Sequence, residues 1–237
     1  RNQDNGRSAV WIEESFAEFK DITVVSGDFG LSYRSSAGKV SGSTINVNCN
    51  GIDINGMISV GTNEYAANVS GNTITTVEGT PITAYAGALA EIHDNTVSGA
   101  SAGSGIGVQS SRVTIHGNTI GPIGGWNGIW LYGSFDVDAQ NNTISDTAKE
   151  PVMAGDYWAG DNPDVRRLYF ANNEVTVPGT GMCVSSTYWG GEFPCSVVQV
   201  HRAGATIVDN VFTAGGSADG IRATGALLNV QRNTWNL

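Results

Sequence analysis

The chain has 237 residues, 40% of them apolar, and a formal charge of −10 from 22 acidic against 12 basic side chains. Only Lys20, Lys39 and Lys149 are lysines, so there is no basic stripe of the kind that binds nucleic acid. No run of 18 apolar residues occurs, so no membrane span is expected. The opening residues do not read as a secretory signal, and a mature or excised piece is expected.

The first segment, residues 8–20 (SAVWIEESFAEFK), reads as a coil strand with Val10 and Ile12 at the position of the third strand described below. The competing reading is a capping helix with Ala9, Ile12, Phe16 and Phe19 on one face. From residue 22 onward one pattern dominates. A turn residue, asparagine eight times and glycine once, stands between apolar residues in a constant frame. The positions are Gly27, Asn50, Asn72, Asn95, Asn118, Asn142, Asn173, Asn210 and Asn233, spaced by 23, 22, 23, 23, 24, 31, 37 and 23 residues. A regular period this short is the signature of a repeat architecture.

Within each unit, residues three and five before the turn position are apolar or small, as is the residue two after it. Val113 and Ile115 precede Asn118, for example, and Ile120 follows it. Alternation of period two broken by a turn means two short strands meeting at a bend. A third strand lies upstream, often opened by glycine, as in 105–108 (GIGV), 128–131 (GIWL) and 220–223 (GIRA). Three strands and three turns in about 23 residues leave no room for a helix. Each strand must therefore pair with its equivalent in the next coil. The expected fold is an all-β, single-stranded parallel solenoid of about nine coils of 22–24 residues, one domain over residues 1–237, with two loop insertions. At about 4.8 Å per coil it forms a rod some 43 Å long. The asparagines are expected to form a structural ladder, tolerating the left-handed bend and bonding one another along the axis. Asn141-Asn142-Thr143 and Asn68-Val69-Ser70 also match the glycosylation sequon.

The motif GI-x-V followed by V-x-I-x-x-N-T-I, as in 105–108 and 113–120, resembles the right-handed parallel β-helix repeat family. That family contains pectate lyases, polygalacturonases, tailspikes and many surface proteins. The resemblance covers residues 9–237 and implies the fold far more strongly than any chemistry. For pectate-lyase-like chains it would imply an acidic calcium site with a lysine or arginine base. For polygalacturonase-like chains it would imply paired aspartates, a Gly-His-Gly and an Arg-x-Lys element. Here His116-Gly117 and Asp136-Val137-Asp138 are only partial echoes. No basic residue is expected on the outward positions of the strand before the turn, so no catalytic residues carry over.

On that strand the residues four and two before the turn position face solvent. Only three adjacent coils offer titratable groups there: Glu91, His93, His116 and Asp138. His93 and His116 should be direct neighbours, with Glu91 and Asp138 two coils apart, about 9.6 Å. A histidine pair flanked by carboxylates suits acid–base chemistry; a solvated polar face is the plainer alternative. The two long units carry insertions at about 155–165 and 178–196, where solenoids tend to bind partners. Tyr157, Trp158, Tyr188 and Trp189 lie in them, and Trp126, Trp130 and Tyr132 lie in the preceding coil. Outward aromatics beside amides and acids are the composition of a carbohydrate-binding face; aromatics covered by their own loops are the alternative.

Cys183 and Cys195 bracket the second insertion within one coil, and a bridge between them is expected. Such a bridge implies an oxidising, extracellular or cell-surface setting, against the alternative of three thiols in a cytosolic protein. Cys49 lies five coils away, about 24 Å, beyond disulfide reach. No metal site is assigned and no cofactor is expected, although calcium at Asp156, Asp161 and Asp164 stays open. The last coil stops at Leu237 without a cap, so a fragment of a longer solenoid, or an end covered by another subunit, is expected. Three functions remain: a surface scaffold binding polysaccharide or glycan through its aromatics, a polysaccharide hydrolase or lyase using the Glu/His/His/Asp group, and a subunit that stacks end to end.

Overall fold

The computed structural model describes residues 7–25, 27–60, 63–155, 166–177, 196–215 and 218–236. Three nine-stranded sheets, parallel throughout, run the length of the molecule. Each coil gives one strand to the first, second and third sheet in turn. The fifth coil, for instance, contributes Ile106–Gln109, Arg112–His116 and Thr119–Ile123. Residues 8–20 are strands of the first coil, Ser8–Glu13 and Phe16–Lys20, as the preferred reading of that segment holds. The period-two pattern works because alternate side chains point to opposite faces of a strand. Inward residues stack into continuous columns such as Ile45, Ile74, Val97, Ile120 and Ile144, paired coil to coil and 0% exposed. Stacking β-branched residues on their equivalents fills the core, each buried side chain contributing about 1.5–3 kcal/mol.

The glycines that open first-sheet strands are required by close approach. A Cβ on Gly105 would lie 2.6 Å from Ile120 Cγ2, and one on Gly128 2.5 Å from Ile144 Cγ2. Neither distance is tolerable, so the third-sheet isoleucines fill the space a side chain would need.

The turn between second and third sheets is two residues long in all nine coils. Its first residue is left-handed every time, with φ between 51° and 65°: Asp21, Gly42, Gly71, Asp94, Gly117, Asn141, Asn172, Asp209 and Arg232. The ladder asparagine is the second residue, so the expectation that it adopts the left-handed bend is corrected. Its neighbour makes the bend, and the asparagine points inward. Asn118 is typical. Its Oδ1 accepts from Asn95 N and Nδ2, both at 3.0 Å, while its Nδ2 donates to Asn142 Oδ1 at 3.0 Å and to Ile92 O at 2.9 Å. The same pattern links Asn72, Asn95, Asn118, Asn142, Asn173, Asn210 and Asn233.

Gly27 and Asn50 do not belong to this column. The ladder positions of the first two coils are Ile22 and Ser43, and Ser43 joins the ladder by donating its N–H to Asn72 Oδ1 at 2.9 Å. Asn50 lies instead in the turn from third to first sheet. There it accepts from Thr80 N at 2.9 Å, and the column continues through Ser104, whose N–H donates to Thr80 Oγ1 at 3.2 Å. The misreading has a simple cause. Ile45, Val47 and Ile52 reproduce the apolar spacing of a ladder unit, although Ile45 and Val47 lie in a third-sheet strand and the turn that follows leads to the first sheet.

Between the first and second sheets of the third coil sits an unanticipated antiparallel hairpin, Ile58–Val60 with Asn63–Tyr65. Its Tyr65 ring meets Phe16 edge-on at 4.9 Å, and Glu64 pairs with Arg112 at 3.1 Å, so it straps across five coils.

Candidate functional site

Two outward faces carry chemistry. On the second sheet, strand register places Asn68, Glu91, Thr114, Asp138 and Tyr169 in one column. His93, His116 and Gln140 occupy the column beside it. The His93 and His116 rings stack at 4.7 Å with planes 6° apart. Asn68 Nδ2 lies 3.0 Å from Glu91 Oε2 and 3.2 Å from His93 Nε2, while His93 Nδ1 faces Asp94 Oδ2 at 2.8 Å. Gln140 holds Asp138 Oδ1 at 2.7 Å. The four expected residues thus gather on one face, with Glu91 and Asp138 separated by Thr114.

The expectation that no basic residue occupies these outward positions is corrected. With the first two coils reframed, Lys39 stands between Glu18 and Asn68 in the Glu91 column. A third outward column holds Arg112, Asp136 and Arg167, the last two paired at 2.6 Å. The face is therefore of mixed charge.

The first sheet has a different character. Its outward column runs Ser32, Asp53, Thr83, Gly107, Trp130 and Met153. Trp130 points outward between inward Ile129 and Leu131, as the alternation requires. Trp126 meets it edge-on at 5.4 Å, Tyr132 lies 5.4 Å to its other side, and Lys149 Nζ sits 5.2 Å from the Trp126 ring centre. Three of the expected aromatics thus form one cluster. Tyr157, Trp158, Tyr188 and Trp189, the Cys183–Cys195 bridge and the acidic positions Asp156, Asp161 and Asp164 lie outside the described residues.

Towards the amino-terminal end of this face lies a polar group that the sequence reading missed. Asp53 is buried and accepts hydrogen bonds from Thr83 Oγ1 and from Asn50 Nδ2, the latter at 2.9 Å. Burial pushes its carboxyl above the usual carboxylate range, against the pull of those two donors and of Arg34. The Arg34 guanidinium lies between two rings, 5.0 Å from the Trp11 centre and 5.5 Å from that of Tyr85. Burial, and then the Asp53 charge, raise the Tyr85 hydroxyl in turn. The available signal was the middle position of the glycine- or proline-led strands: Asp53, Thr83, Gly107 and Trp130 follow from aligning 51–54, 81–84, 105–108 and 128–131. Glu150, also buried, is raised by desolvation; its backbone carbonyl accepts from Asn127 Nδ2 at 2.7 Å.

Among the described residues no group of three or more His, Cys, Asp or Glu side chains is placed to hold a metal ion. Nor is any helix among them long and apolar enough to cross a membrane. The model of the right-handed β-helix region matches residues 55–235, and the chain belongs to that family. No curated protein and no solved structure matches it.

Proposed function

We propose that this chain is a right-handed β-helix scaffold whose first-sheet face binds glycan, working outside the cell or at its surface. The observation that carries the reading is the cluster of Trp126, Trp130 and Tyr132, with rings 5.4 Å apart, beside a row of amide and hydroxyl side chains. Aromatic rings bury the apolar C–H face of a sugar, while nearby amides and hydroxyls exchange hydrogen bonds with its hydroxyl groups. A rigid sheet holds both at fixed spacing, which lowers the ordering cost of binding. Immobilised polysaccharides should retain the protein without releasing product. Trp130→Ala should weaken retention roughly tenfold or more, since single buried aromatics dominate such contacts, and circular dichroism should be unchanged. Undiminished retention by the variant would overturn the reading.

A second reading has its own support on the second sheet. Glu91 and Asp138, two coils apart in one column, are separated by about 9.6 Å before side-chain reach, near the spacing of inverting glycosidases. The stacked His93 and His116 flank them. On this reading a polysaccharide is cleaved, and His116→Ala abolishes product release with the fold intact. Retention without cleavage by the unaltered protein decides for the first reading.

A further inference from the structure

We infer that the gap above Gly107 seats a single uncharged sugar unit against Trp130, and that the missing side chain there sets the specificity of the face. The inference rests on the glycan-binding reading and sharpens it. Along the outward column of the first sheet Thr83 precedes Gly107 and Trp130 follows it, so side chains stand on both sides of a position that has none. One coil spans about 4.8 Å, and the result is a notch closed at one end by an indole. The hollow is about 280 Å³, rimmed by Asn50, Thr80, Thr83, Tyr85 and Gln109 as well as Trp130. That is close to the ~300 Å³ at which small-molecule sites begin, so it suits one unit of a glycan rather than an extended stretch.

The chemistry of the rim selects the ligand class. Its polar groups are amides and hydroxyls, which both donate and accept, matching sugar hydroxyls. Among the described residues no charged side chain lines the hollow. Asp53, the register partner of Thr83, is buried beneath its bonds from Thr83 and Asn50. The chain's charge of −10 repels acidic glycans. Trp130 is braced by Trp126 at 5.4 Å, so its ring is oriented before a ligand arrives.

Nothing in the backbone demands glycine at this point. A Cβ on Gly107 would find Thr80 Cγ2 at 3.6 Å and Thr83 Cγ2 at 3.8 Å, which is ordinary contact. A β-branched residue would suit the strand better than glycine does. What glycine supplies here is room.

The test titrates the full chain by calorimetry with neutral gluco-, manno- and galacto-hexasaccharides and with hexagalacturonate. Gly107→Val fills the notch, Gly107→Ala fills it partly, and Trp130→Ala removes its wall. The expected result is binding of a neutral hexasaccharide, weakened at least tenfold by Gly107→Val and by Trp130→Ala, and less by Gly107→Ala, with melting temperatures preserved. Should Gly107→Val fail to fold, the graded loss in Gly107→Ala carries the test. Loss in Trp130→Ala with full affinity in both Gly107 variants would overturn the notch while leaving the face intact. Preference for hexagalacturonate would overturn the neutral class. Absence of binding to every probe would overturn both the notch and the face.

Discussion

The turn between the second and third sheets and the turn from the third back to the first solve the same problem in opposite ways. The first is always two residues, a left-handed residue and then an inward one, and seven successive coils place asparagine at the inward position. The second varies from coil to coil: four residues separate Val47 from Ile52, and six separate Gly99 from Ile106. Constant geometry lets one side chain serve seven successive coils, and the ladder forms a continuous chain of hydrogen bonds between side-chain amides. Variable geometry does not, so Asn50, Thr80 and Ser104 share that role along the other turn. The uniform turn holds the coils in register. The variable one forms the rim of the hollow over Gly107.

Breaking the ladder should produce the largest effect. Asn118→Ala removes the acceptor of Asn95 N–H, one of the two acceptors of Asn95 Nδ2, which keeps Val69 O, and the side-chain donor to Ile92 O. At roughly 1–3 kcal/mol per buried unpaired group, a loss of about 3 kcal/mol or more is expected in denaturant unfolding. Asn50→Ala, in the variable turn, removes the acceptor of Thr80 N–H and one donor to Asp53. A loss of about 1–2 kcal/mol is expected on the same scale. Equal losses at the two sites would erase the distinction between the turns.

A smaller effect tests the bend. Gly117 has φ 65°, so Gly117→Val should cost about 1–2 kcal/mol through the left-handed backbone. Gly117→Asn should cost less, because asparagine already stands at the equivalent Asn141 and Asn172.

The buried carboxyl gives a prediction of sign. Asp53 has a folded pKa raised above its ordinary 3.8, so the native state binds the proton more tightly than the unfolded chain does. Its contribution is fully present below that ordinary value and is lost as pH rises through the raised one. Asp53→Asn, which still accepts from Thr83 and Asn50, should flatten this part of the stability–pH curve measured by thermal melts. An unchanged slope would mean that Asp53 is not buried as described.

Much of this molecule was legible because the same physics repeats. Apolar alternation and asparagine recurrence fixed three strands per coil, the outward placing of Trp130 and the neighbouring His93 and His116. Frame was lost where repetition fails. Ile22 and Ser43 hold the ladder positions of the first two coils without being asparagine, and Asn50 mimicked one. The notch was invisible for a different reason: it consists of a side chain that is absent at Gly107, between residues contributed by four coils. Asp53 went unnoticed because its partners Asn50 and Thr83 become neighbours only once the third-to-first turn folds over the strand.

The register of the ladder is read most directly by exchange of side-chain amide protons, followed by nuclear magnetic resonance at the asparagines. Asn95, Asn118 and Asn142 should exchange as slowly as the backbone amides of the core, because each Nδ2 donates to the next coil and to a buried carbonyl. Exchange at the rate of a solvent-exposed amide such as that of Asn141 would contradict the stacked column, and with it the placing of both faces.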